Sequence, residues 1–113
     1  MNIVIATLGP YLRSSIARQL ELGPYYLIVD THAGKMNVFP HPVQFQAECS
    51  PTGLLEHLLR FEPEVILAGS FSTEVRQALL DQRILLRQAN GRACDALDYC
   101  VDMAARELTA LTL

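Results

Sequence analysis

The segment Tyr25–Phe39, YYLIVDTHAGKMNVF, reads as two strands around a turn. Tyr25 to Asp30 is rich in aromatic and β-branched residues, which favour a pleated surface. Thr31-His32-Ala33-Gly34 supplies the turn, with Gly34 free to take positive φ. Lys35 to Phe39 is the return strand, ended by Pro40 and Pro42. The two strands should therefore be antiparallel neighbours. Outward from this hairpin, Asn2 to Thr7 is a short apolar run that stops at Leu8-Gly9-Pro10, and reads as a strand buried on both faces. Leu8 to Ser15 is a loop. Ile16 to Leu22 can form one helical turn or stay irregular, and Gly23-Pro24 breaks the chain before the hairpin.

Beyond the hairpin the pattern changes to alternating helices and strands. Val43 to Cys49 is a polar loop, and Ser50-Pro51 is a helix start, Ser50 as N-cap and Pro51 in the first turn. Leu54, Leu55, Leu58 and Leu59 follow at helical spacing, and the helix stops before Pro63. Val65 to Ala68 is a buried strand. Ser72 can cap the next helix, whose inner face is Val75, Ala78 and Leu79. Ile84 to Leu86 is the fifth strand. Asn90-Gly91 then leads into a last helix from about Arg92 to Leu111, with Leu97, Val101, Ala104 and Leu108 inward. The order β-β-β-α-β-α-β-α predicts an α/β domain over residues 1–113, a mixed five-stranded sheet with helices on both faces. Right-handed crossovers make strands one, four and five parallel.

Composition bounds the function. The chain has 113 residues and 12.6 kDa, with 9 Lys+Arg against 12 Asp+Glu and a net charge of -3. That balance argues against a general nucleic-acid binder. Half of the residues are apolar and 19% are charged, which excludes a disordered chain. Three cysteines, Cys49, Cys94 and Cys100, occur at wide spacing and without a C-x-x-C pair, which points to a reducing, cytoplasmic setting. The first residues lack a signal-peptide pattern, and no apolar run reaches the ~20 residues of a membrane span. No membrane partner is expected.

Three stretches carry a resemblance to a known family. They are Met1-Asn2-Ile3-Val4-Ile5-Ala6-Thr7; Leu22-Gly23-Pro24-Tyr25-Tyr26-Leu27-Ile28-Val29-Asp30; and Pro63-Glu64-Val65-Ile66-Leu67-Ala68-Gly69 with Ala78-Leu79 and Ile84-Leu85-Leu86. In order and spacing they resemble the dinitrogenase iron–molybdenum cofactor biosynthesis family, of the NifX and NifB C-terminal type. The resemblance implies a ribonuclease H-like fold. It also implies a small carrier or chaperone, not an enzyme, that binds an iron–molybdenum cofactor or a related metal–sulfur cluster. Such a protein works in metallocofactor biosynthesis and exchanges its cargo with a cofactor-assembly or recipient protein. Two departures stand out. Leu22-Gly23-Pro24 replaces the family's Phe-Gly-Arg and so lacks its cation, and Gly69-Ser70-Phe71-Ser72 replaces a repeated glycine.

Ligands of open α/β sheets favour the crevice beyond the carboxyl ends of the parallel strands. In the family's strand order, the loops 8–15, 40–49, 69–73 and 88–92 share that rim with Gly23, while His32 and Lys35 fall on the opposite one. Cys49 precedes the Ser50 cap and Cys94 lies in the first turn of the last helix. A helix N-terminus favours thiolate, the natural ligand of a soft metal. His41, Cys49 and Cys94 are thus candidate metal ligands, brought together by the rim and not by sequence spacing. Two have a plainer reading: Cys94 also lies on the apolar stripe with Leu97, and His41 between two prolines is commonly a solvated loop residue. Cys100 reads as core, and His57, facing away from the leucine stripe, as a surface histidine.

The same rim can receive an anion. Backbone N–H groups at residues 72–74 and at the start of the last helix can face it, with Arg13 and Arg92 adding charge. Thr7, Gly9, Gly23, Gly69 and Ser72 complete the candidate cofactor-binding set. A nuclease is rejected, because neither Ile3–Thr7 nor Val65–Ala68 carries a carboxylate for metal binding. No nucleotide-binding glycine motif and no nucleophile–base pair is present. The competing reading is a metal-free interaction domain with an eroded cluster site. It would pair through the third strand (Met36, Val38, Phe39) or as a homodimer through Leu108, Leu111 and Leu113.

Overall fold

The computed structural model describes residues 2–40 and 56–99. Within them the chain forms β1 (Asn2–Thr7), β2 (Tyr25–Asp30), β3 (Lys35–Pro40), β4 (Val65–Ala68) and β5 (Leu85–Gln88). A 3-10 turn, Leu20–Leu22, precedes β2, and an α-helix, Thr73–Asp81, joins β4 to β5. Residues 56–59 and 93–99 are also helical. The sheet order is β3-β2-β1-β4-β5. β1 pairs antiparallel with β2, and β2 with β3, whereas β1–β4 and β4–β5 are parallel. The hairpin, the mixed sheet and the parallel set expected from the sequence are all present.

β1 is central, which explains its composition. Ile3, Val4, Ile5 and Ala6 are all fully buried. Successive side chains of a strand point to opposite faces, so a strand covered on both sides needs an unbroken apolar run. Val4 and Ala6 join Tyr26, Ile28 and Ile66 on one face, under Leu58 and under Val75 and Leu79 of the Thr73–Asp81 helix. Ile3 and Ile5 join Leu27, Val29, Val65 and Leu67 on the other face, with Ala93, Ala96 and Leu97 of the last helix against them. Helices therefore cover both faces. Burying each large aliphatic side chain contributes roughly 1.5–3 kcal/mol. No helix among the described residues is long and apolar enough to cross a membrane.

The caps follow the sequence. Ser72 is the N-cap of the Thr73–Asp81 helix, its hydroxyl accepting from the Val75 N–H at 3.3 Å. At the hairpin, Gly34 takes φ 67°. Two other expectations shift. β5 begins at Leu85, not Ile84: Arg83 adopts φ 61°, and the Ile84 N–H still donates to Leu79 O at the helix end. His57 is half-buried and not a surface group. Its ring stands edge-on to Phe61 with centroids 5.5 Å apart, and Phe39 lies at 6.4 Å. Ser50 and Pro51, expected to start a helix, and residues 100–113, expected to continue the last one, lie outside the described residues.

Asp30 ties the hairpin turn. Its Oδ1 accepts from the N–H of Ala33 (3.1 Å) and of His32 (3.0 Å). The Ala33 bond foremost holds the carboxyl below its ordinary value of 3.8; desolvation opposes it, and the His32 bond adds to the lowering. A group whose folded pKa is depressed stabilises above its unfolded pKa, and that contribution fades as pH falls through the folded value. The Asp30 carboxyl should titrate below pH 3.8 in a carbon-detected NMR pH series, and the His32 and Ala33 amides should shift with it. An Asp30 midpoint at or above the ordinary value would contradict this.

Candidate functional site

The register defines one rim. β1, β3, β4 and β5 run the same way and β2 runs against them, so the ends Thr7, Pro40, Ala68 and Gln88 lie together with the start of β2 at Tyr25. Asp30 pairs with Lys35 at the opposite rim, next to His32. Loops 8–15, 69–73 and 88–92 therefore meet with Gly23 at the rim expected from the sequence, and loop 41–49 lies outside the described residues.

What fills the crevice between β1 and β4 is the chain itself. Ile16 bridges back to Thr7, and the Leu8 N–H donates to Ser15 O at 2.9 Å. Ala17 N–H reaches Ala6 O, and Gly69 N–H reaches Ala17 O, both at 2.8 Å. On the other side Ser15 bridges Arg92, Ile16 N–H donates to Gly91 O, and Ala93 N–H donates to Ser14 O. Cys94 N–H closes the set on Leu12 O at 2.7 Å. Residues 12–17 are thus stitched across the switch point, and the first two amides of the last helix are engaged by the chain's own carbonyls.

Several candidates are consequently built into the scaffold. Thr7 is fully buried, and its hydroxyl donates to Gly9 O at 2.7 Å. A Cβ on Gly9 would come within 2.7 Å of the Ser14 hydroxyl, and one on Gly23 within 3.1 Å of the Ala6 Cβ. A Cβ on Gly69 would stand 2.6 Å from Arg18 O and 2.8 Å from Ala17 O. These close approaches are to the protein's own chain. Ser72 serves its helix, and its N–H makes a long 3.5 Å contact with Glu21 Oε1. Glu21, which also accepts from Gln19 Nε2, thereby occupies the anion position of that helix start.

Arg13, Arg92 and Cys94 remain at the outer surface. The Ser15–Arg92 bridge, the Ala93–Ser14 bond and the Cys94–Leu12 bond lay residues 12–15 beside residues 92–94. Arg13 and Arg92 are exposed, and the Arg13 guanidinium lies 5.0 Å from the Tyr11 ring centroid. Cys94 is a free, half-buried thiol with Sγ 3.9 Å from Asp95 Oδ1. Leu8 and Tyr11 are more than half exposed beside them. A cleft of about 280 Å³, lined by Arg18, Gln19, Leu22 and Ser70, opens on the same rim. His41 and Cys49 lie outside the described residues, and among those residues no group of three metal-ligating side chains assembles. Among the described residues the rim offers the Cys94 thiol, Arg13, Arg18 and Arg92, and exposed apolar side chains. That chemistry fits an anion with a soft, polarisable surface in part: the side chains suit it, while several main-chain donors are already used.

The comparisons with known proteins divide sharply. No family model and no curated protein matches the chain. Solved structures do. The orange protein from Desulfovibrio gigas, solved in its apo form, superposes with a TM-score of 0.78 at 17% identity, over 89% of this chain and 87% of its own. A protein from Thermotoga, provisionally named NifB and assigned to the DUF35 family, gives 0.75 at 19% identity over the same shares. The protein PH0822 gives 0.77 at 14% identity, over 90% of this chain and 91% of its own. At these identities the likeness establishes a shared fold.

Sequence reasoning missed Glu21, Tyr11 and Arg18. Glu21 had a signal, an acid in a short turn next to a glycine break, but its helix lies 51 residues away. Tyr11 two residues before Arg13 was the readable sign of a cation over a ring.

Proposed function

We propose that this chain is a small non-catalytic carrier, and that its cargo is an iron–molybdenum cofactor or a related anionic metal–sulfur cluster. The observation that carries the reading is the set of bonds that lays residues 12–15, with Arg13 among them, beside Arg92 and Cys94 at the rim used by ligands of open α/β sheets. The fold shared with a protein provisionally named NifB, and with one solved in an apo form, supports the same class. We further read the sheet as ribonuclease H-like, since the order β3-β2-β1-β4-β5 with β2 reversed is the one the family resemblance implies. Cys94 would supply a thiolate to a soft metal, and the arginines would neutralise the cluster's charge; His41 and Cys49 are further donors to be tested.

One observation favours the competing reading of a metal-free interaction domain. The Gly69, Ala93 and Cys94 amides, which face ligands in an open crevice, are bonded internally here. β3 also leaves Met36 (38%) and Val38 (36%) exposed on an edge strand. Anaerobic expression followed by incubation with tetrathiomolybdate or iron–molybdenum cofactor separates the two. A carrier should retain metal and a visible absorption band through gel filtration. Cys94→Ala and the Arg13→Ala/Arg92→Ala pair should each lower retained metal several-fold at unchanged melting temperature. Absence of retained metal with both cargoes overturns the carrier and leaves the interaction domain.

A further inference from the structure

The Asn90-Gly91 turn lies beside Arg92 but has no part in holding a cargo. It links the end of β5 to the last helix, outside strand and helix, and both of its residues are exposed. Gly91 adopts φ 90°, and a Cβ built on it would meet nothing within 4 Å, so the space around its main chain is open. Among the described residues neither the Asn90 side-chain amide nor the Gly91 N–H makes a hydrogen bond. The chain on either side is anchored. Ala89 N–H donates to Ala68 O at 2.9 Å, Gly91 O accepts from Ile16 N–H at 2.8 Å, and Arg92 bridges Ser15. An unbonded carboxamide is thus held next to an unbonded glycine nitrogen, and such proximity favours reaction within the chain.

We propose that Asn90 is a self-modification site, deamidated through a succinimide formed with Gly91. The Gly91 main-chain nitrogen loses its proton and bonds to Cγ of Asn90, the Cγ–Nδ2 bond breaks, and ammonia leaves with that proton. Water then opens the ring at either carbonyl. Breaking the bond from nitrogen to Cγ yields aspartate. Breaking the bond from nitrogen to the Asn90 carbonyl carbon yields isoaspartate, in which the main chain runs through the side-chain carbons. The chain has three asparagines. The other two, Asn2 and Asn37, lie within β1 and β3 and precede β-branched Ile3 and Val38, which crowd the attacking nitrogen. The Asn2 side chain is also engaged, donating to Phe61 O at 3.1 Å. Either product at position 90 adds a negative charge two residues from Arg92. Isoaspartate also inserts one main-chain carbon between the anchors at Ala89 and Gly91. The Gly91 carbonyl must then shift from Ile16, and the interlock of residues 12–17 loosens. The turn couples the age of the chain to the tightness of the rim.

The test is incubation of the full chain in warm neutral buffer, with trypsin mapping by mass spectrometry at intervals and a zero-time digest as control. Cleavage after Arg87 and Arg92 isolates residues 88–92, in which Asn90 is the sole asparagine. Position 90 should convert at least tenfold faster than Asn2 or Asn37, with isoaspartate the larger product, detected by an isoaspartyl methyltransferase. Amide exchange at Ile16 should quicken as isoaspartate accumulates. Freshly purified Asn90→Asp, which adds the charge at unchanged chain length, should keep Ile16 protected. Asn90→Gln should abolish the mass gain of this peptide with the fold intact. A folded chain that stays unmodified at position 90 while the urea-unfolded chain converts would overturn the proposal. Equal conversion at all three asparagines, or continued mass gain in Asn90→Gln, would do the same. An Ile16 amide equally protected in both forms would overturn the coupling to the rim. These readouts need no bound metal, so they stand or fall apart from the carrier reading.

Discussion

Gly69→Ala is expected to cost about 3 kcal/mol of stability, the upper end of what overpacking usually costs. The added Cβ would meet Arg18 O at 2.6 Å, Ala17 O at 2.8 Å and the Arg18 carbonyl carbon at 2.9 Å. All three are main-chain atoms, so no rotamer change relieves the contact. The segment must instead move away from β4, breaking the Gly69 N–H bond to Ala17 O and straining the Ser70 hydroxyl bond to Arg18 O. Because residues 12–17 also hold the start of the last helix, the displacement should spread to Cys94 and loosen the rim. Gly9→Ala is the control. Its Cβ meets the Ser14 hydroxyl, a side chain that can turn away, so the cost should stay near 1 kcal/mol or less. In a domain of this size each kcal/mol moves the melting temperature by about 4–8 °C. Circular-dichroism melts should therefore separate the two variants by roughly 10 °C, and coincident melts would refute the steric account.

That contrast also marks what the sequence could and could not reveal. β1, the hairpin and β4 were legible because burial on two faces demands unbroken apolar runs, and a turn demands a residue such as Gly34. Handedness then made β1, β4 and β5 parallel, while the strand order, and with it the rim that collects loops 8–15, 69–73 and 88–92, came from the family resemblance. The stitching of residues 12–17 was not legible, because its bonds run between main-chain groups that every residue possesses. Gly69 shows the consequence. A glycine after a parallel strand reads equally as room for a ligand or as room for the protein's own backbone, and only the path of residues 17–18 decides between them. His57 failed for a related reason. A helical wheel places it opposite the leucines, but β3 and the turn after the helix bring Phe39 and Phe61 to that side.

Tyr26→Ala is expected to be the most damaging single substitution in the sheet, at about 4 kcal/mol. Tyr26 stands first by volume among the fully buried side chains of the described residues, in the cluster with Ala6, Leu20, Ile28 and Leu58. Truncation removes the ring from the face of the sheet that the first two helices cover, and leaves a void that the rigid strands on either side cannot collapse into. Tyr26→Phe isolates the other part of its role. The phenol donates to Leu20 O at 2.7 Å, and the phenylalanine keeps the packing while leaving that buried carbonyl without this donor. A cost of about 1–2 kcal/mol follows. The effect of the conservative change should be local as well as small. Leu20 opens the 3-10 turn that carries Glu21 to the Ser72 amide and leads to Gly23, whose N–H returns to Leu20 O. Amide exchange at Ser72 and Gly23 should therefore quicken in Tyr26→Phe while β1 amides remain protected. Urea unfolding of both variants supplies the magnitudes. If the phenylalanine variant lost as much stability as the alanine variant, the hydroxyl and not the ring would be the main support of this core.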